Sequence, residues 1–223
     1  MERPEGQRVP VDPTGDLKIP VARAAEVIRA GGVVACPTES FYGLAVNATD
    51  EGAIRRLFHI KGRSAHKPVL LLVAGREQVD PYVDHVPPVA ERLMDTFWPG
   101  GLTLVLRAAR TVSPLLTAGK GKIGLRLSGH PLPTALAGAV GFPITGTSAN
   151  LSGEPACRSA EQVFQVFGKR VDLILDGGEA EGKAGSTVLD ATTDPPQILR
   201  AGLVTREALE PIVGKGGSKA GGM

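Results

Sequence analysis

An α/β fold, with helices packed on a twisted mixed sheet, is what this 223-residue chain predicts. Three observations carry the prediction. Helical and strand-like segments alternate early, whereas strands crowd together between about residues 171 and 200, so the regular alternation of a doubly wound sheet or a barrel is missing. The chain is 42% hydrophobic but only 4% aromatic, so its core must be built from Val, Leu, Ile and Ala. Its 29 Gly and 18 Pro supply many tight connections.

Each element has a local reason. Residues 21–30 read as an amphipathic helix through Val21, Ala24, Ala25 and Ile28, stopped by Gly31-Gly32. Residues 33–36 form a short buried strand ended by Pro37. Asp50 is an N-cap for a helix with Ile54, Leu57 and Phe58 on one face. A strand follows at 69–73, then a helix carrying Val89, Leu93 and Phe97, which Trp98-Pro99-Gly100-Gly101 terminates. Strands are expected at 102–107 and at 123–127, the latter with Arg126 inside it. Ser159 and Gln162 make a capping-box pattern ahead of Val163, Val166 and Phe167. Strands at 171–175, 186–189 and 197–200 precede a last helix at about 205–213.

Composition bounds the rest. A net charge of +2 is too small for wholesale nucleic-acid binding, so any anion binding must be local. Cys36 and Cys157 stand in no CxxC pair and read as reduced thiols. Residues 1–15 are polar and Pro-rich without an apolar segment of the signal-peptide kind, and no run approaches the ~18 apolar residues of a membrane span. The expectation is a soluble, cytoplasmic protein: a polar extension over 1–15, one domain over 16–213, and a Gly-rich tail over 214–223 that cannot bury anything and should be disordered.

The most informative stretch is 144–153, Ile-Thr-Gly-Thr-Ser-Ala-Asn-Leu-Ser-Gly, where small and neutral hydrogen-bonding residues let a ligand approach the backbone. Upstream, Lys61, Arg63 and Lys67 place three cations within seven residues. A neutral polar loop and a cationic loop in one domain suggest a site for a polyanionic small molecule. Arg126 and Arg200 join this cation set, because each sits in or at the end of an apolar strand and a guanidinium on an inward face needs an anion. The segment 37–44, Pro-Thr-Glu-Ser-Phe-Tyr-Gly-Leu, adds a polar strand-end loop. Residues 177–184 match GxxxxGK, but Ala184 stands where a magnesium-ligating hydroxyl belongs and the following residues are strand-like, so a P-loop is rejected. The four histidines lack zinc-site spacing, and His130 reads as a strand-end residue. There is no GxSxG elbow and no carboxylate pair within a low-charge loop.

In this order the pieces resemble the YrdC/Sua5 family of L-threonylcarbamoyladenylate synthases. The matching segments are 37–44, 61–68, Trp98 to Thr103, Gly124-Leu125-Arg126-Leu127, 147–153, Ser186-Thr187-Val188 and Leu199-Arg200-Ala201-Gly202. The resemblance implies a YrdC-like fold with a large concave cleft, in the short form that lacks a further C-terminal domain. It implies nucleotidyl transfer from ATP, with L-threonine and bicarbonate as co-substrates and Mg2+ accompanying ATP. The product, threonylcarbamoyl-AMP, would serve tRNA threonylcarbamoyladenosine formation through a separate transferase complex. Carried over position by position, Lys61 and Arg63 are the catalytic cations. Lys61, Arg63, Lys67, Ser148, Asn150 and Arg200 hold ATP, and Thr38, Arg126 and Ser186 hold threonine. The chain departs from the family at Gly101 and Ala201, where Pro is usual, and at Phe41, where a small β-branched residue is usual. The competing reading is a double-stranded RNA or tRNA-binding module using the same basic cleft. A carbamoyl-transfer domain of the hydrogenase-maturation kind lacks its partner domains here.

Overall fold

The computed structural model describes residues 6–214. Its strands run, in chain order, over Gln7–Pro10 (β1), Val34–Pro37 (β2), Tyr42–Ala45 (β3), Leu70–Leu72 (β4), Leu102–Arg107 (β5), Lys122–Arg126 (β6), Ile144–Ser148 (β7), Leu173–Asp176 (β8), Thr187–Asp190 (β9) and Gln197–Arg200 (β10). They form one mixed sheet in the order β1-β8-β2-β3-β7-β4-β6-β5-β9-β10. The helices are Lys18–Arg29 (α1), Glu51–Lys61 (α2), Pro88–Phe97 (α3), Pro114–Thr117 (α4), Pro131–Val140 (α5), Ala160–Phe167 (α6) and Arg206–Val213 (α7). Among the described residues, no helix is long and apolar enough to cross a membrane.

Two apolar layers organise the sheet. Ala24 and Ile28 of α1 and Leu132 and Leu136 of α5 join Val34, Ile144 and Leu173 in one cluster. Val33, Ala35 and Leu44 belong to a second cluster with Ile54 and Leu57 of α2 and Val163 and Phe167 of α6. That cluster continues through Leu71, Leu104, Ile123, Leu125 and Leu189 to Leu93 of α3 and Leu209 of α7. The sheet from β8 to β4 is therefore sandwiched, with Leu71 of β4 in one cluster and Leu72 in the other, while the β6-β5-β9 part is covered by helices on one face only.

Local chemistry sets the helix ends. Asp50 is extended, and its Oδ1 accepts the Gly52 and Ala53 N–H groups at 2.8 and 3.2 Å. Gly62, left-handed at φ +56°, closes α2, so that the Arg63 N–H reaches Phe58 O at 2.9 Å. Ser159 accepts the Gln162 N–H at 3.2 Å, but the Gln162 side chain bonds the Arg158 N–H instead of closing the expected box.

Several elements differ from expectation, α4 and α5 among them, since neither helix is expected from the sequence. Part of the segment read as an extension, Gln7–Pro10, is edge strand β1, parallel to β8, with Arg8 bridging Asp176 at 2.7 Å. Tyr42–Ala45, read within a strand-end loop, is strand β3. His130 is the cap of α5 rather than a strand end, its Nδ1 accepting the Leu132 N–H at 3.2 Å. The P-loop-like stretch leads into β9, not a helix. Residues 1–5 and the Gly-rich tail from 215 onward lie outside the described residues.

Asp172 ties the layers together. Its buried carboxylate accepts the Val33 N–H at 2.6 Å and pairs with Arg56 of α2 at 2.6 Å. We expect Asp172→Ala to cost about 2–4 kcal/mol, because it strands an amide and a half-buried guanidinium. Urea unfolding would check this. A loss below about 0.5 kcal/mol, the size of an ordinary surface change, would mean that Asp172 does not brace the two layers.

Candidate active site

The uncovered face of β6-β5-β9, with β4 beside it, floors a cavity of about 710 Å³, within the ~300–1,000 Å³ range of small-molecule sites. Strand pleating builds it. Ile123 and Leu125 of β6 enter the core, so Lys122, Gly124 and Arg126 line the cavity. The same alternation brings Thr103 and Val105 of β5, and Val188 and Asp190 of β9, to the cavity. Gly124 and Gly146 keep the floor open. A Cβ on Gly146 would stand 2.4 Å from Leu70 Cδ1.

The register divides the cavity into two ends, separated along β6 by roughly 13 Å from Lys122 to Arg126, at about 3.3 Å per residue. At the Arg126 end, the guanidinium is 6% exposed, bridges Glu39 at 3.2 Å through Nη1, and has its Nε buried without a hydrogen-bond partner. Burial pushes its pKa down, Glu39 opposes this, and nearby Arg200 adds to it. Ser128 Oγ donates to Glu39 Oε2 at 2.6 Å and so holds that carboxylate. Ser186 Oγ pairs with Thr103 Oγ1 at 2.8 Å, and Arg200 donates to Ser186 O at 2.8 Å and to its Oγ at 3.1 Å. Thr38 lines the cavity, while its Oγ1 donates to Phe41 O at 2.8 Å and accepts the Ser40 N–H at 3.1 Å.

At the other end, Arg63 spends donors on Lys67 O at 3.3 Å and Pro68 O at 2.6 Å, and lines the cavity at the entrance to β4. Ser148 lines it too, its Oγ donating to Asn150 Oδ1 at 2.7 Å. Lys61, expected among the catalytic cations, sits beneath the Ser148 loop. It is 1% exposed, does not line the cavity, and donates to Ser148 O, to Asn150 O at 2.8 Å and to Asn150 Oδ1 at 3.1 Å. An ammonium has three donors, and the loop takes all of them. Asn150 and Lys67 do not line the cavity either: Asn150 Nδ2 donates to Glu154 O at 2.6 Å, and Lys67 is exposed. Of the nine expected residues, the structure brings Thr38, Arg63, Arg126, Ser148, Ser186 and Arg200 into one cavity. Arg200, expected beside the nucleotide, touches Ser186, expected beside threonine.

The Sua5/YciO/YrdC family model, whose description reads "Telomere recombination", matches residues 26–202. The chain belongs to this family. A Pyrococcus abyssi relative named threonylcarbamoyl-AMP synthase is 40% identical over 86% of this chain and 56% of its own length. A Vibrio vulnificus relative of the same name is 38% identical over 81% of this chain and 97% of its own length. The solved structure of P. abyssi Sua5 complexed with L-threonine gives a TM-score of 0.89 at 37% identity, covering 94% of this chain and 61% of that one. The chain thus spans 56% of the P. abyssi relative and nearly all of the V. vulnificus one.

Against this family background, several cavity residues went unread in the sequence: Thr103, Thr117, Lys120, Lys122 and Asp190. The two-residue period from Arg126 back through Gly124 to Lys122 was the available signal. Thr103 and Asp190 needed the pairing of β5 with β9.

Lys61 gives the site a titration of its own. Burial, then the Arg63 charge, pushes its pKa from the ordinary 10.5 down to about 8, while nearby Cys157 acts in the opposite direction. It remains protonated at neutral pH. Below about pH 8 both the folded and the unfolded chain hold the proton. Between about 8 and 10.5 the unfolded chain holds more, so the contribution of this group to stability rises with pH across that window. We expect Lys61→Met to remove that rise from the pH dependence of urea unfolding, and carbon-detected NMR to place the Nζ titration near 8. An Nζ midpoint at the ordinary value would show that the ammonium is not desolvated.

Proposed function

We propose that this chain is an L-threonylcarbamoyladenylate synthase, a nucleotidyltransferase that makes threonylcarbamoyl-AMP and pyrophosphate from L-threonine, bicarbonate and ATP. The observation that carries the reading is one cavity with a buried, part-satisfied Arg126 at one end and Arg63 beside the neutral Ser148 loop at the other. The names of the relatives and the L-threonine complex of P. abyssi Sua5 support it.

In the reaction, threonine nitrogen attacks bicarbonate carbon, water leaves, and a carbamate remains. A carbamate oxygen then attacks the α-phosphorus of ATP. The bond to the bridging oxygen breaks, and its electron pair leaves with pyrophosphate. Every participant is anionic, so the chain's task is positioning and charge neutralisation, with no protein nucleophile. Arg126 takes the threonine α-carboxylate, flanked by Thr38 and Ser186. Arg200 approaches the nucleotide from the Arg126 end, where it donates to Ser186. Arg63 and Ser148 face the phosphates, with Lys67 at the rim. Lys61 acts through the loop, holding Ser148 and Asn150 in place from below. Mg2+ would accompany ATP, with the phosphates as its ligands, and would offset their charge. The product would pass to a separate transferase acting on tRNA.

Purified protein should release pyrophosphate from ATP only when L-threonine, bicarbonate and Mg2+ are all present. Equal turnover without threonine would sink the synthase reading, and tight, steeply salt-dependent duplex RNA binding without any turnover would favour the RNA-binding alternative.

Arg126→Ala should weaken threonine binding by about 2–4 kcal/mol, and Arg126→Lys by nearly as much, since an ammonium cannot reproduce the planar fork. Arg63→Ala should instead lower kcat about 10²-fold with threonine binding retained, because the charge it meets builds up in transfer. Calorimetric threonine titration and single-turnover kinetics separate the two. Threonine affinity unaffected by either Arg126 change would remove Arg126 from the site.

A further inference from the structure

Arg126 is buried with a countercharge beside it but without the hydrogen bonds that burial usually requires. Its Nε has no partner, and Glu39 Oε1, 3.2 Å from Nη1, is likewise left without a hydrogen bond, so the pair is close in charge yet poorly aligned. The guanidinium is balanced and still has donors to offer. Glu39 is fixed from behind. Ser128 Oγ donates to its Oε2 at 2.6 Å and accepts the His130 N–H, at the start of α5, at 3.2 Å. The Glu39 backbone is held in the turn between β2 and β3, where the Thr38 N–H reaches Phe41 O at 3.0 Å and the Ser40 N–H reaches Thr38 Oγ1 at 3.1 Å. Neither Glu39 nor Ser128 lines the cavity, whereas Arg126 does. A ligand at this end therefore meets the charge of Glu39 without touching its oxygens. The two ends differ in consequence: Arg126 and Arg200 stand with Glu39, whereas the three cations Arg63, Lys120 and Lys122 stand with Asp190.

We propose that Glu39 is a specificity-determining residue: by balancing Arg126 while leaving guanidinium donors open, it makes this end of the cavity a receptor for a zwitterionic amino acid and disfavours ligands that bring only negative charge. This rests on the reading of this end as the threonine seat and adds to it the charge state that the seat selects. An amino acid offers acceptors to Arg126 yet arrives without net charge, because its α-ammonium cancels its carboxylate. A 2-hydroxy acid or an inorganic anion offers the same acceptors without the ammonium, and Glu39 then only repels it. At a separation of about 7 Å and an effective dielectric of ~20, one unit charge changes affinity by well over tenfold before solvent screening. The sign does not depend on the exact pose. Removing a negative charge always disfavours the ligand that carries the ammonium relative to the one that lacks it. Glu39 acts through Arg126 and through its field, so it is a positioning residue and takes no part in bond making.

Calorimetric titration of L-threonine and of its 2-hydroxy analogue, 2,3-dihydroxybutanoate of the same configuration, into the wild type and three variants tests this. The threonine-to-analogue affinity ratio should fall about tenfold in Glu39→Gln, which keeps the shape of the side chain and an acceptor for Ser128 but loses the charge. The ratio should stay within about threefold of wild type in Glu39→Asp and Ser128→Ala, which keep that charge. Inorganic phosphate should displace threonine from Glu39→Gln about tenfold more effectively than from the wild type. If Glu39→Gln does not fold, Glu39→Ser removes the same charge and reads the same ratio. A ratio in the charge-removing variant within about twofold of wild type, with threonine still bound, would overturn this role alone. An equal fall in Ser128→Ala would do the same, since Glu39 would then be only a brace. A wild type that binds neither threonine nor the analogue would overturn the threonine reading and this inference together.

Discussion

The pleat of β6 constrains everything else about the site. Ile123 and Leu125 are fully buried against the helices, and alternation leaves Lys122, Gly124 and Arg126 no choice but the opposite face. A slip of one residue would drive two cations into the leucine core and expel two apolar side chains. The register is therefore held by burial. Its neighbours obey the same rule, with Leu104 opposite Leu125 and Val105 opposite Gly124. The core-side leucines, which never touch a ligand, thereby fix which polar groups can.

A cavity lined by cations is costly to build, and the fold meets that cost with local partners. Glu39 and Ser128 stand behind Arg126, the Lys67 and Pro68 carbonyl oxygens take Arg63, and Asp190 holds Lys122. Compensation is incomplete where it would matter for function. Arg126 keeps a buried donor unsatisfied, and burial lowers the pKa of Arg63, Arg126 and Arg200 alike. Such a site stores affinity for anions, because a bound anion relieves a desolvation penalty already incurred in folding.

Lys61 shows how the two halves of the sheet communicate. It ends α2, which packs on the sandwiched half, yet its ammonium clasps the loop that follows β7, the strand joining β3 to β4. The neutral Ser148 loop owes its shape to a charge hidden beneath it. An ammonium also appears in sequence as a free cation, which is why the spacing of Lys61, Arg63 and Lys67 suggests three phosphate ligands where the structure places only Arg63 in the cavity.

Taken alone, the sequence determined most of the elements, the family and, of the nine site residues expected, the six that line the cavity. Apolar periodicity, Asp50 and Ser159 as caps, and Gly or Pro as stops are local signals that act within a few residues. Where local signals mislead, elements were missed. Pro131 and Pro133 obscured α5, although proline is tolerated in a first helical turn, and β1 has too little apolar character to be read without its partner β8. Only the tertiary structure decided that Lys61 is buried, that Arg200 grips Ser186, and that Lys120 and Lys122 share a cavity with Arg63. Those facts depend on which strands pair and in what register, a choice made by burying leucines from distant parts of the chain against one another.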